Sequence, residues 1–258
     1  MTSKAARPRP RRPVGCRLGR RLHWASALAV AASVATTPGC YEATVVVRGT
    51  GSIVQERRPL RHTDRVVLEG ELDVSIDLVA AQSASVGGVR DTVVWIEGAN
   101  DLLEYVETEV VDGSELHVRY RDGVRLDPTP TIEIQCGRLV RLAALGAGTV
   151  RIQGLGAGVR PGETVRLEAH GAVDVRGSGA VDRLVVVQTG AADMHLSKVT
   201  AREVEHSSMG SGDAWIHATG HVTTSLKGAT DLHLRGDPTV EQSSLGVGKV
   251  HRADEPQD

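Results

Sequence analysis

Four aspartates, Asp174, Asp193, Asp213 and Asp231, each stand three residues after a glycine. Two residues beyond them come Arg176, His195, Trp215 and His233, and the same spacing continues to Lys249 and His251. Carboxylates beside imidazoles form the donor set of divalent metals. Stacked on successive strands, however, His195 and His233 lie two layers apart, roughly 10 Å, with Trp215 between them. One ion cannot bridge that gap. The aspartate column, Asp174, Asp193, Asp213 and Asp231, is left as a weak cation-binding column of calcium type, because like carboxylates in one column repel unless screened. The same aspartates can serve as turn residues that hydrogen-bond local backbone. Paired carboxylates about 5–9 Å apart can hydrolyse glycosides, but a column of stacked aspartates meets that distance by construction. His206, Ser207 and Ser208 are neighbours without the strand–turn–helix elbow a serine nucleophile needs. Gly210-Ser-Gly-Asp213 opens no helix and so offers no phosphate cradle. Cys136 alternates with Ile132 and Ile134 on the apolar side of a strand, the setting of a buried, inert thiol. The residues therefore predict no catalytic set and no cofactor.

The elements that carry these residues are set by a repeat. A glycine, two residues, a polar residue and an apolar residue return at Gly146, Gly171, Gly190, Gly210, Gly228 and Gly246, in steps of 25, 19, 20, 18 and 18. A period near twenty signals a repeat architecture. Strand-like alternation places Val165, Leu167, Val173, Val175, Leu184, Val186, Met194, Leu196, Val204, Ala214, Ile216, Leu226, Leu232 and Leu234 on inward faces. No single repeat can bury such a face, whereas stacking at about 4.8 Å buries it and pairs the backbone. The expected fold is all-β, a parallel β-helix or β-solenoid of short stacked strands, with regular coils from about residue 138. Gly70-Glu-Leu-Asp73-Val74 already has the spacing, so the repeat starts there. The polar residue and the one two places on flank an inward residue and should form two outward rows: Thr149, Asp174, Asp193, Asp213, Asp231, Lys249, and Arg151, Arg176, His195, Trp215, His233, His251. The chain contains no Phe, as suits a narrow interior filled by Val, Ile, Leu and Ala.

The first forty residues belong to export. Residues 1–24 carry eight basic side chains and no acid; Ala25–Ala35 is a short apolar run, and Thr37-Pro-Gly-Cys40 follows. This is the order of a cleaved secretory signal, with an apolar run too short to span a bilayer. Thr37-Pro-Gly-Cys40 resembles the lipobox of bacterial lipoproteins, which implies lipidation of Cys40; Tyr41 in place of Asp implies, by the same resemblance, outer-membrane sorting. The expected domains are a signal peptide over 1–39, a tether over 40–47, the repeat domain over 48–251 and a polar tail over 252–258. Removing the eight basic residues from 30 leaves 22 against 32 acids, a formal net charge of −10 for the mature chain. Nucleic acid, which needs a basic footprint, is excluded as a partner.

Arg65–Ile76, Val94–Leu103 and Val106–Val118, followed by the glycine–aspartate repeats, resemble in their order the autotransporter adhesin head GIN domain family of exported bacterial proteins. The likeness covers about residues 48–251 and implies a solenoid-like fold with no catalytic residues to carry over. The sequence thus reads as a lipid-anchored, non-catalytic envelope protein. Its expected partners are the membrane through Cys40, a surface protein or glycan, and further copies of itself. A polysaccharide-active β-helix lyase or hydrolase is the alternative.

Overall fold

A computed structural model describes residues 44–79 and 91–252. The signal peptide, Cys40 and the polar tail beyond Arg252 lie outside the described residues.

Sixteen strands and one helical turn make up the described chain: β1 (Val45–Arg48), β2 (Ile53–Leu60), β3 (Arg65–Glu71), β4 (Asp73–Leu78), β5 (Thr92–Ala99), the turn Leu103–Tyr105, β6 (Val106–Val111), β7 (Glu115–Tyr120), β8 (Val124–Asp127), β9 (Thr131–Cys136), β10 (Arg141–Leu155), β11 (Thr164–Gly190), β12 (Asp193–Gly210), β13 (Ala214–Gly228), β14 (Leu232–Arg235), β15 (Thr239–Gly246) and β16 (Val250–Arg252). β10, β11, β12 and β13 pair in parallel, each on the next, and β13 carries β14 and β15. The glycines of the repeat fall in register: Gly70 pairs Gly146, Gly146 pairs Gly171, Gly190 pairs Gly210, and Gly228 pairs Gly246. Gly70 is thus the first member of the column, as the sequence spacing predicts.

Two expectations need correction. The stacked strands are not short: β10 to β13 run for 15, 27, 18 and 15 residues. Their ladders continue through the glycine bends, because positive φ at the glycine turns the chain without breaking pairing. Nor does one parallel run extend through the whole chain. β5 pairs antiparallel with both β2 and β9, and β6 pairs antiparallel with β7. The β6–β7 hairpin follows from its loop, where Asp112 (φ 49°) and Gly113 (φ 75°) take the left-handed conformation that tight hairpins require.

Every inward residue predicted from alternation is buried, from Val165 through Leu234. They merge with Leu72, Val74, Ile76, Ile96, Ile132 and Ile134 into one apolar core that runs the length of the stack. Each fully buried Leu or Ile contributes about 1.5–3 kcal/mol relative to exposure. Cys136 is buried in β9 opposite Leu78, and burial pushes its thiol up to about 12, which makes it a packing group.

The interior is not wholly apolar. Gln188, His206, Ser208, Thr224 and Thr230 are buried among the last repeats. His206 and Ser208 point inward, so the adjacent His206-Ser207-Ser208 is split across two faces and forms no catalytic pair.

Candidate functional site

The two outward rows predicted from the sequence are present and longer than predicted. Following the register from strand to strand, one row reads Arg57, Trp95, Glu133, Ser75, Arg151, Arg176, His195, Trp215, His233, His251. It crosses ten adjacent strands in the order β2-β5-β9-β4-β10-β11-β12-β13-β14-β16. At about 4.8 Å per strand this is a strip about 43 Å long. The parallel row beside it includes Thr131, Asp73, Thr149, Asp174 and Asp193 and continues to Asp213, Asp231 and Lys249. The alternation of each strand turns both rows outward, while the residues between them fill the core.

The ring row is a continuous stack at its far end. His195 lies on Trp215 with ring centroids 4.4 Å apart, Trp215 on His233 at 5.1 Å, and His233 on His251 at 5.1 Å, all within 17° of parallel. At the other end Arg57 sits over the Trp95 ring at 5.6 Å. Stacking on both sides covers the two faces of Trp215, so this residue presents its edge to a partner and cannot act as a flat platform.

The aspartates hold the rungs together. Asp73 Oδ1 accepts the Thr149 N–H (3.0 Å), Asp193 Oδ1 the Asp213 N–H (2.8 Å), Asp213 Oδ1 the Asp231 N–H (3.0 Å) and Asp231 Oδ1 the Lys249 N–H (2.8 Å). Each carboxylate thereby binds a backbone donor one rung along. Asp174 instead receives Arg176, with Nη2 at 2.8 Å, and faces His195 Nε2 at 3.6 Å. The Lys249 N–H and the His251 ring (Nε2 to Oδ2, 3.1 Å) hold the Asp231 carboxyl below its ordinary range. Of the four members of the predicted cation column, Asp193, Asp213 and Asp231 thus accept backbone N–H groups through Oδ1, while Arg176 holds the Asp174 carboxylate and the His251 ring holds Asp231 Oδ2. Among the described residues, no group of three or more His, Cys, Asp or Glu is placed to hold a metal ion.

Asp77 and Glu133 lie on diagonal positions of the β4–β9 pair. Partial burial, followed by the Glu133 charge, pushes the Asp77 carboxyl up. A groove of about 560 Å³ lies elsewhere, lined by Val46, Glu69, Glu71, Arg119, Tyr120, Arg121 and Arg125 among others. Several of its charges are engaged with protein: Glu71 with Arg125 (3.1 Å), Glu69 with His117 (3.2 Å) and Arg119 with Glu107 (3.0 Å).

Sequence reasoning missed Trp95, Glu133, Ser75 and Arg57 as members of the ring row. Ser75 stands five residues after Gly70 and could have been placed by the phrase, but Trp95, Glu133 and Arg57 carry no glycine phrase, and β9, β5 and β2 join the sheet out of chain order. Only the period-two alternation of Val93–Ile96 and Thr131–Cys136 marked their outward sides.

Fold and face together define an all-β protein of stacked, mainly parallel strands bearing a long open polar strip. The chain belongs to the family described as "Putative auto-transporter adhesin, head GIN domain", whose model matches residues 67–238. No curated protein matches the chain. Among solved structures, a "putative adhesin" from Bacteroides fragilis superposes with a TM-score of 0.63 at 17% identity, over 80% of this chain and 99% of that one. A "putative adhesin" from Parabacteroides merdae gives 0.43 at 16%, over 81% and 99%. At these identities the first likeness speaks for the fold alone. Among the described residues, no helix is long and apolar enough to cross a membrane.

Proposed function

We propose that this protein is a non-catalytic, adhesin-like β-solenoid of the cell envelope, lipid-anchored at Cys40 in the outer membrane, which uses its ten-strand polar strip to hold a surface protein or glycan. The observation that carries this reading is the unbroken register of the ring row across ten strands. A strip of that length suits an extended contact, whereas a reaction needs convergent groups in a water-excluding site. The exposed β15, with Leu245 and, just beyond its end, Val247 open to solvent, supports self-association at the far edge as part of the same proposal.

Two measurements test it. Cys40→Ser should move the protein from the outer-membrane fraction to soluble periplasmic material, and an unchanged distribution overturns the anchor. His195→Ala, Trp215→Ala and His233→Ala combined in the mature domain should weaken binding to envelope surfaces at least about tenfold, about 1.4 kcal/mol, with the circular dichroism spectrum retained. Undiminished binding removes the strip from the proposal.

Weak divalent-cation binding by Asp174, Asp193, Asp213 and Asp231 is proposed on the same face, through carboxylate oxygens and bridging water, in competition with the Arg176 and His251 contacts. Calcium at about ten times Kd stabilises a protein by about 1.4 kcal/mol, which raises Tm by about 3–6 °C for a chain of this size. No shift at millimolar calcium, the affinity range of weak extracellular sites, eliminates the column as a cation site.

A further inference from the structure

The chain enters the stack at one end, and that end has the features of a surface laid against lipid. β1 begins at Val45, five residues after Cys40, so an anchored cysteine can stand no more than about 17 Å from it. β1 leads through Gly49, packed by Ala99 and Leu102, into β2, the outermost strand of the ten-strand order. Of the nine large apolar residues exposed in the described chain, four fall in this entry segment, on both sides of its strands: Val45 (59% exposed), Val46 (52%), which also lines the charged groove, Ile53 (64%) and Val54 (37%). Among them is Arg48, with its side chain 81% exposed and 3.5 Å from Asp127, and Arg57 follows over Trp95. Small apolar side chains interspersed with arginines and an indole are the composition of interfacial contact, where apolar groups enter the headgroup layer and cations meet phosphates.

We infer that the β1–β2 end of the stack, through Val45, Val46, Ile53 and Val54, seats on the lipid surface that holds Cys40, so that the ring row runs outward from the membrane to His251. This rests on the proposed anchor. It fixes the direction of the molecule: β16, about 43 Å farther along the strip, forms the distal tip together with β15, which pairs β13 beside the strip, and the His195–Trp215–His233–His251 stack stands at the end nearest a partner.

The test uses the full lipoprotein isolated from the envelope and reconstituted in vesicles of phosphatidylethanolamine and phosphatidylglycerol. Val46→Cys, Ile53→Cys and Leu245→Cys are made separately and labelled with an environment-sensitive fluorophore; the buried Cys136 thiol does not compete under native conditions. Lipids carrying a nitroxide near the headgroup then serve as quenchers. Probes at 46 and 53 should shift to the blue and lose fluorescence to the nitroxide, while the probe at 245 keeps its aqueous spectrum. A protein that floats with the vesicles but whose probes at 46 and 53 stay aqueous overturns the seating and leaves the anchor intact. A quenched probe at 245 reverses the direction. A wild-type protein that fails to float overturns the anchor, and the seating with it.

Discussion

Gly171→Ala lowers Tm by about 10 °C, whereas Gly70→Ala, at the same position of the repeated phrase, lowers it by about 4 °C. The two glycines share a backbone conformation, φ 113° at Gly171 and 104° at Gly70. For any L-residue that conformation costs about 1–2 kcal/mol, and both variants carry it. They differ in what lies beneath. A Cβ on Gly171 would stand 2.1 Å from the carbonyl oxygen of Gly146, its register partner in β10, whereas a Cβ on Gly70 meets nothing within 4 Å. That oxygen belongs to a continuous ladder, so making room means spreading two rungs at the middle of the stack. Overpacking of this kind costs about 1–3 kcal/mol further, for a total of about 2–5 kcal/mol. Thermal and urea unfolding followed by circular dichroism measure both. Equal losses would show that conformation alone fixes glycine at the bend, and that the close approach of rungs contributes nothing. The difference also explains why the phrase begins with glycine from Gly146 onward with no exception: each later bend has a carbonyl directly below it.

Much of the architecture was legible because stacking imposes one period on everything. The glycine spacing fixed the bends, alternation fixed which side chains are buried, and the two together fixed the outward rows from Thr149 to Lys249 and from Arg151 to His251. The first third of the molecule was not legible in the same way. β4, β9, β5 and β2 are neighbours in the sheet but lie at residues 73–78, 131–136, 92–99 and 53–60, an order that no local pattern encodes. The antiparallel pairing of β5 likewise depends on where distant strands leave an edge. Hence four of the ten members of the strip, including Trp95 and Glu133, stayed hidden while the six in the repeats were plain. The aspartates show the other limit. Their spacing was clear from the sequence, but whether a carboxylate faces solvent or caps the next rung is decided by one side-chain torsion, and three of the four cap.

The buried His206 makes the protein less stable by about 3 kcal/mol as pH falls from about 6.5 to about 4. Its protonation state is set by Gln188. The amide nitrogen of Gln188 donates to the carbonyls of Ala192 (2.8 Å) and Asp213 (3.1 Å), which turns its Oε1 toward His206 Nε2 at 2.7 Å. An acceptor there requires that Nε2 carry the proton. Nδ1 then accepts from the Thr224 hydroxyl at 3.0 Å. The ring is neutral with both nitrogens satisfied, and burial pushes its pKa down to about 4. The folded value lies below the unfolded one, so above about pH 6.5 neither state binds the proton and stability is complete. Below it the unfolded chain takes up a proton that the folded chain refuses, and stability drains until the folded value is reached. His217, pushed down by burial and by Arg235, adds a smaller loss of the same sign from a more exposed position. His206→Gln separates the two, because glutamine can donate to Gln188 Oε1 and accept from Thr224 without titrating. Urea midpoints measured across this range should fall steeply for the wild type and remain nearly level for His206→Gln. Parallel slopes would place the acid sensitivity elsewhere. A steep wild-type slope would mean that the last repeats, where Gln188, His206 and Thr224 join three successive rungs, loosen first in mild acid, at the end of the strip that carries the ring stack.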